Sequence, residues 1–141
     1  MRLVTGDALY PFLPQIADMI REHLPEVRGI ENHQAIAIVS GQDVLAVLLY
    51  GNYSPEDVWM HVASISPRWC TRAVLRGIFG YPFNQLRVRR VTALVAKSNK
   101  HCRQFIERLG FSHEGTHPES LPNGGATCSY GMTRKHCKWI S

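Results

Sequence analysis

The spacing of apolar side chains in the first third of the chain predicts a helix followed by a pair of strands. Residues 9–24 place apolar side chains three or four positions apart, which predicts a helix that ends at Pro25. Segments 35–39 and 44–50 are apolar at every position and flank a short turn that contains Gly41. They predict a β-hairpin that is covered on both faces.

Strands and helices alternate in the remaining two thirds. The predicted elements are, in order, a strand at 58–64, a helix that begins at Thr71 and ends at Pro82, a strand at 90–96, a helix at 99–109 closed by Gly110, and strands at 111–114 and 128–133. This alternation implies parallel strands at the centre of the sheet. The expected fold class is therefore α/β, a single domain over residues 1–141 with a mixed central sheet, a parallel centre and helices on both faces.

The composition is that of a globular domain. The 141 residues are 45% hydrophobic and contain no apolar run of about 20 residues, so we expect no membrane partner. The amino terminus lacks the pattern of a secretory signal, and the four cysteines lack C-x-x-C spacing. We therefore expect a cytoplasmic protein with reduced cysteines and no bound metal.

Positive charge is concentrated in the middle of the sequence. The chain has 16 Lys and Arg against 11 Asp and Glu, and residues 68–108 hold ten of those 16 together with one acid, Glu107. Within this stretch, Arg68 and Arg72 lie at the junction 64–73, where a strand leads into a helix. Because a helix start presents free backbone N–H groups, this junction suits a phosphate. An anionic cofactor and a nucleic acid both fit the charge.

Two motifs resemble those of the GNAT superfamily of acyl-CoA-dependent N-acyltransferases. The family's pyrophosphate loop reads Arg/Gln-x-x-Gly-x-Gly/Ala, and this chain has Arg68-x-x-Thr71-x-Ala73. The family then has a strand, an Asn that opens a helix and a Leu-Gly-Phe at its end, which match Asn99 and residues 109–111. The resemblance covers most of the chain and includes bacterial and phage-associated members.

The resemblance implies a cleft between splayed parallel strands that holds acetyl-CoA as co-substrate. A strand end would contact the pantetheine arm, the loop would hold the pyrophosphate, and the last helix would lie along the thiol. The implied cofactor-binding residues are, in that order, Ala63, Ser64 and Ile65; Arg68, Trp69, Cys70, Thr71, Arg72 and Ala73; and Asn99, Cys102 and Phe105. The positive charge of residues 68–108 then serves the anionic co-substrate.

The implied reaction is the transfer of an acetyl group to a primary amine by direct attack in a ternary complex. A base must take a proton from the amine, and the candidates are His61 and Asp57, which share a strand face, and Glu114. The family's frequent general-acid tyrosine falls at Ile106. Some members use a serine where this chain has Cys102, so Cys102 is the candidate acid.

Two departures from the family pattern support an alternative of a different class. Thr71 places a side chain where the family has glycine, and Ile106 cannot donate a proton. The alternative is a GNAT-fold protein without catalysis that serves as a binding or structural partner in a phage particle or a host complex. Nucleic-acid binding is disfavoured because no recognition motif is present.

The sequence leaves the acceptor open among a protein N-terminus, a lysine, a polyamine and an antibiotic amine. The location implied by the resemblance is a bacterial or phage-infected cell, with association to a virion left open. A homo-oligomer or larger assembly is also left open, and Trp139 is a candidate for docking on a neighbour.

Overall fold

A seven-stranded sheet runs through the computed structural model, which describes residues 1–28 and 31–140. The strands lie in the order β1-β2-β3-β4-β5-β7-β6. Only β4 and β5 are parallel neighbours among the described strands. This confirms the mixed sheet with a parallel centre. The strands are β1 (Arg2–Val4), β2 (Gln34–Ser40), β3 (Asp43–Gly51), β4 (Asp57–Ser64), β5 (Arg90–Ala96), β6 (Ser112–His117) and β7 (Thr127–Thr133).

Three α-helices cover the sheet on both faces, as expected. They are α1 (Leu13–His23), α2 (Arg72–Gly80) and α3 (Lys100–Leu109). Buried side chains of α1 pack with one face of β2 and β3, whereas those of α2 and α3 pack together on the other face. None of the described helices is long and apolar enough to cross a membrane.

The structure differs from the sequence prediction at three places. The segment Gly6–Phe12 forms 3-10 turns, so the predicted helix becomes α-helical only from Leu13. The short strand β1 was not predicted. Pro82 does not end the helical path, because it lies in the first turn of a π-helical segment, Tyr81–Gln85, where no backbone N–H is needed.

The ends of α2 and α3 are held by the residues that the sequence indicated. The Thr71 hydroxyl oxygen accepts a hydrogen bond from the Val74 N–H at 3.2 Å, and Asn99 Oδ1 accepts one from the Cys102 N–H at 3.2 Å. Gly110 follows α3 with a φ of +114°, a conformation that favours glycine. These caps fix where each helix begins beside the parallel strands.

Candidate functional site

The parallel strands separate before they end, and this opens a cleft. β4 and β5 pair only as far as Met60 and Ala93, although β4 continues to Ser64 and β5 to Ala96. Beyond that point β4 remains bonded to β3, and β5 to β7, on their outer sides. The facing backbone edges therefore present N–H and C=O groups that are not used in a β4–β5 ladder.

The cleft has a volume of about 370 Å³, which is within the usual range for a small-molecule site. It lies between the carboxyl end of β4, the turn that follows this strand, and α3, whereas β5 borders a narrower space deeper in the structure. Ala63 is not on its wall, because the Ala63 side chain packs among the buried residues beneath α1. The predicted cofactor-binding residues that line the cleft are Ser64, Ile65, Trp69, Asn99, Cys102 and Phe105.

Trp69 fixes the turn between β4 and α2. Its side chain is 1% exposed, and its Nε1 donates a hydrogen bond to the Ser64 hydroxyl oxygen at 2.8 Å. The Ser64 hydroxyl in turn donates to the Ser66 carbonyl at 3.1 Å. The Trp69 ring also meets the Phe105 ring edge to face, with centroids 5.6 Å apart. This one side chain therefore holds the strand end, the turn and α3 together.

The start of α2 leaves backbone donors without a hydrogen-bond partner in the described part of the chain. Thr71 occupies the Val74 N–H, but the N–H groups of Arg72 and Ala73 have no acceptor among the described residues. Arg68 and Arg72 are exposed beside them. Two free donors and two guanidinium groups at a helix start are suited to a phosphate.

A buried carboxylate and a buried imidazole meet at the inner end of the cleft. Glu26 Oε2 lies 3.2 Å from His61 Nδ1, and the two side chains are only 4% and 7% exposed. Glu26 borders a narrow space of about 10 Å³, together with Cys102 and Asn99, whereas His61 lies behind Glu26. This space has room for about one water molecule.

Sequence reasoning predicted His61 but did not single out Glu26. Glu26 follows α1 in a polar loop, and no periodic pattern marks which carboxylate of such a loop is buried.

The structure also places the His33 ring 6.1 Å from the His61 ring, edge to face. Within residues 1–28 and 31–140, no group of three His, Cys, Asp or Glu side chains could hold a metal ion.

Cys102 is held as a thiol by its surroundings. Burial raises the pKa of Cys102 to about 11, and the nearby negative charge of Glu26 acts in the same direction. A free cysteine has a pKa of about 8.5. Cys102 is therefore a weaker acid than a free thiol, and it can donate a hydrogen bond more readily than a proton.

The Cys102 environment predicts slow alkylation. Only the thiolate reacts with iodoacetamide, so the rate at Cys102 is expected to rise about tenfold for each pH unit between pH 8 and 10. Replacing Glu26 with Gln removes a negative charge and should increase the rate at any given pH in this range. Peptide-resolved mass spectrometry measures the rate, and rapid labelling of Cys102 at pH 8 would contradict the prediction.

The candidate base Glu114 lies elsewhere, in an ion-pair network on the sheet. Arg90 Nη2 lies 2.6 Å from Glu114 Oε1, and Arg90 Nε lies 3.6 Å from Asp57 Oδ1. The Thr92 hydroxyl lies 3.0 Å from each carboxylate oxygen of Asp57. The network joins β4, β5 and β6 and crosses β7 above Gly131. Asp57 and Glu114 are thus partnered on the sheet surface, outside the cleft lining.

Gly131 makes room for this network. A Cβ at position 131 would lie 2.4 Å from Glu114 Oε2 and 2.5 Å from Arg90 Nη2. Gly131→Ala should therefore displace the ion pair and lower the free energy of unfolding by about 1 kcal/mol. In a Glu114→Ala background the same change should cost less, because only the far end of the flexible Arg90 side chain remains near the added Cβ and alanine is favoured over glycine in a strand. Urea unfolding of the four proteins tests this, and an equal cost in both backgrounds would contradict it.

The structure separates the positive residues that the sequence places together. Arg68 and Arg72 lie at the carboxyl ends of the parallel strands, beside the cleft. Arg87 and Arg89 immediately precede β5 and therefore lie at its amino end, where they line a shallow depression together with Arg134. The prediction that all of residues 68–108 serves one anionic ligand was therefore too broad.

The fold is similar to that of solved acetyltransferases. Spermidine N-acetyltransferase from Vibrio cholerae, in complex with CoA and spermine, matches with a TM-score of 0.73 and 12% identity, over 96% of this chain and 96% of that chain. A GNAT-family acetyltransferase from Bacillus anthracis matches with a TM-score of 0.58 and 12% identity, over 74% of this chain and 67% of that chain.

Comparisons at the level of sequence found no match. No protein-family model matches the chain, and no curated protein sequence is significantly similar to it. The likeness is therefore one of fold, at 12% identity in both of these comparisons. The structural neighbours of this chain are GNAT-family acetyltransferases, and its fold is the GNAT fold.

Proposed function

We propose that the protein transfers an acetyl group from acetyl-CoA to a primary amine by direct attack in a ternary complex. The observation that carries this proposal is the cleft at the separated ends of β4 and β5, which adjoins the narrow space beside the buried Glu26–His61 pair. The proposal is also supported by the GNAT fold, since the fold neighbours named above are acetyltransferases and one of them contains CoA and spermine.

The residues present fit acetyl-CoA. The facing edges of β4 and β5 offer backbone hydrogen bonds to the amide groups of a pantetheine arm. The N–H groups of Arg72 and Ala73, with the side chain of Arg68, offer donors and charge to a pyrophosphate. Asn99 and Cys102 lie at the deep end, where a thioester would sit. When bound, acetyl-CoA supplies an acetyl thioester that an unprotonated amine can attack.

Glu26 and His61 remove the proton that prevents attack. An alkylamine is protonated at neutral pH, and its lone pair becomes available only after a proton is lost. Glu26 borders the narrow space that adjoins the cleft, and it accepts this proton through one water molecule, while His61 Nδ1 orients the carboxylate. Because both side chains are buried, their positions are fixed before the amine arrives.

Cys102 and Glu114 receive other roles in this proposal. Cys102 donates a hydrogen bond toward the sulfur end of the cleft, because its raised pKa disfavours full proton transfer. Glu114 holds β6 to β5 through Arg90. Ile106 is fully buried in the core beneath the cleft. The amine nitrogen forms a bond to the acetyl carbon, the carbon–sulfur bond breaks, and CoA would leave as a thiolate that the Cys102 S–H stabilises. The second proton lost by the nitrogen passes to this thiolate or to water.

A thiol-release assay with acetyl-CoA and a panel of amines tests the proposed function. The panel contains a polyamine, free lysine, a peptide with a free N-terminus and an aminoglycoside. We expect acetyl-CoA-dependent release of free thiol with at least one class of amine. Arg68→Ala combined with Arg72→Ala should raise the KM for acetyl-CoA, whereas Arg87→Ala combined with Arg89→Ala removes the same charge at the other end of β5 and should leave it unchanged.

Calorimetric titration with acetyl-CoA, read together with the amine panel, separates the enzyme from the non-catalytic alternative. The observation that favours the alternative is Thr71, whose hydroxyl already occupies one N–H of the helix start. Acetyl-CoA at a hundred times its dissociation constant should stabilise the fold by about 2.7 kcal/mol. Absence of both heat and a melting shift would overturn the enzyme proposal. Binding without transfer to any amine would support a protein that uses the fold only to bind.

A further inference from the structure

Four exposed cations lie together at the end of the sheet that is opposite the cleft. Arg87 and Arg89 immediately precede β5, and Arg134 and Lys135 immediately follow β7, its antiparallel neighbour. The Arg134 N–H donates a hydrogen bond to the Arg89 carbonyl at 2.9 Å, which joins the two segments. These four residues are called the basic surface below.

Two shallow depressions meet on the basic surface. They have volumes of about 480 and 630 Å³, and Arg89 and Arg134 border both of them. Arg87 borders the smaller depression and Lys135 the larger one. No Asp or Glu of residues 1–28 and 31–140 lines either depression. The basic surface is therefore continuous and of one sign.

The charge of the basic surface is not compensated by the chain itself. None of its four cations forms a salt bridge with any residue that the structure describes. The carboxylates of Asp57 and Glu114 are already paired with Arg90. Glu56 is exposed, and its carbonyl accepts a hydrogen bond from the Arg89 N–H at 3.0 Å, so one unpaired negative charge lies beside the surface. Cations held together in this way attract a polyanion.

Arg134 is fixed in place by its own chain. Its Nη1 donates a hydrogen bond to the Phe83 carbonyl, and its Nη2 donates one to Asn84 Oδ1 at 2.9 Å. A guanidinium group has five N–H donors, so donors remain for a ligand. Because the orientation of this group is set in advance, less side-chain freedom is lost when it binds phosphate oxygens.

The kind of polyanion follows from how little apolar area the basic surface offers. Phe83, Val88 and Cys137 border the two depressions but are only 0%, 1% and 7% exposed, and Ile140 at one margin is partly exposed. Protein partners need apolar or aromatic contacts at the centre of an interface, and single-stranded nucleic acids stack their bases on exposed aromatic rings. The phosphates of a duplex need neither contact.

We propose that the basic surface binds the phosphate backbone of a double-stranded nucleic acid without reading its sequence. The chain has no nucleic-acid recognition motif, which argues against contacts with bases but not against contacts with phosphates. The cleft lies at the other end of the parallel strands, so a duplex and acetyl-CoA occupy separate sites. The proposal goes beyond acetyl transfer and does not depend on it.

The salt dependence of binding to a labelled DNA duplex, measured by fluorescence anisotropy, tests this proposal. Each neutralised phosphate adds about −0.9 to the slope of log K against log salt, so four contacts predict a slope of about −3.6 and a loss of affinity of about 150-fold between 50 and 200 mM salt. Arg87→Gln combined with Arg89→Gln should halve the slope, which leaves a loss of only about 12-fold over the same range. Glu56→Gln should tighten binding, because it removes the negative charge beside the surface.

Arg68→Gln combined with Arg72→Gln is the matched control, because it removes two positive charges beside the cleft. This variant should keep the slope of the unchanged protein, and saturating acetyl-CoA should not displace the duplex. Thermal melting checks that each variant is folded.

Four results would overturn the proposal. They are no duplex binding at 50 mM salt, an equal change of slope in the control variant, displacement of the duplex by acetyl-CoA, and tighter binding of a single strand or of polyglutamate than of the duplex. Acetyl transfer would stand in each case. Conversely, duplex binding that depends on Arg87 and Arg89 would uphold the basic surface even if no amine were acetylated.

Discussion

Replacing Glu26 with Gln is expected to lower kcat for acetyl transfer about 100-fold and to change the KM for acetyl-CoA little. A positioned general base contributes about 100- to 10,000-fold to rate, and the amide of Gln cannot accept the proton. Glu26 borders the narrow space that adjoins the cleft, whereas most of the proposed contacts with CoA lie on the strand edges, the α2 start and α3. Steady-state kinetics with the best amine of the panel measures both constants.

Two matched variants test whether a loss of activity in Glu26→Gln results from the loss of a general base. Glu114→Gln removes a carboxylate that is paired with Arg90 outside the cleft, so its kcat should stay within about twofold. His61→Asn removes the group that orients Glu26 but leaves the carboxylate, and it should lower kcat less than Glu26→Gln does. Full activity in Glu26→Gln, or a larger loss in Glu114→Gln than in Glu26→Gln, would contradict the assignment of the base.

Much of the fold is predictable because each signal in the sequence is local. The period of apolar residues in 99–109, the Asn99 cap and the glycine at 110 act within a few residues of one another, and the structure has each of them where the sequence places it. The strand β1 was missed because three residues cannot show a period. Pro82 was misjudged because its effect depends on whether it starts a helical segment or interrupts one.

The site is less predictable because its parts are distant in sequence. Glu26 and His61 are 35 residues apart, and only the packing of the loop after α1 against β4 brings them together. The positive charges also show that closeness in sequence does not mean closeness in the fold. Arg72 and Arg89 belong to one positive stretch of sequence, but the strand–helix–strand crossover carries them to opposite ends of parallel strands. Topology therefore decides which of these charges meets a ligand in the cleft.

Replacing Trp69 with Ala is expected to lower the free energy of unfolding by about 3 to 5 kcal/mol, the usual cost of deleting a buried large aromatic side chain. The Trp69 side chain is 1% exposed and contacts Phe105 and the Ser64 hydroxyl. Trp59→Ala is the matched control, because Trp59 is only partly buried and should cost less. Urea unfolding followed by circular dichroism, which does not depend on the deleted fluorophore, measures both changes.

Two milder variants show whether the indole hydrogen bond of Trp69 positions the start of α2 for acetyl-CoA. Ser64→Ala removes the acceptor of the indole N–H together with the hydrogen bond from the Ser64 hydroxyl to the Ser66 carbonyl, while the Phe105 contact remains. It should cost about 1 to 2 kcal/mol. If Trp69 acts by fixing the turn, Trp69→Phe should keep most of the stability but weaken acetyl-CoA binding, because the turn loses its bond to the strand end. Since the free donors of α2 begin three residues later, small movements of this turn displace them directly. Equal acetyl-CoA affinity in Trp69→Phe and the unchanged protein would show that the helix start is positioned without the indole hydrogen bond.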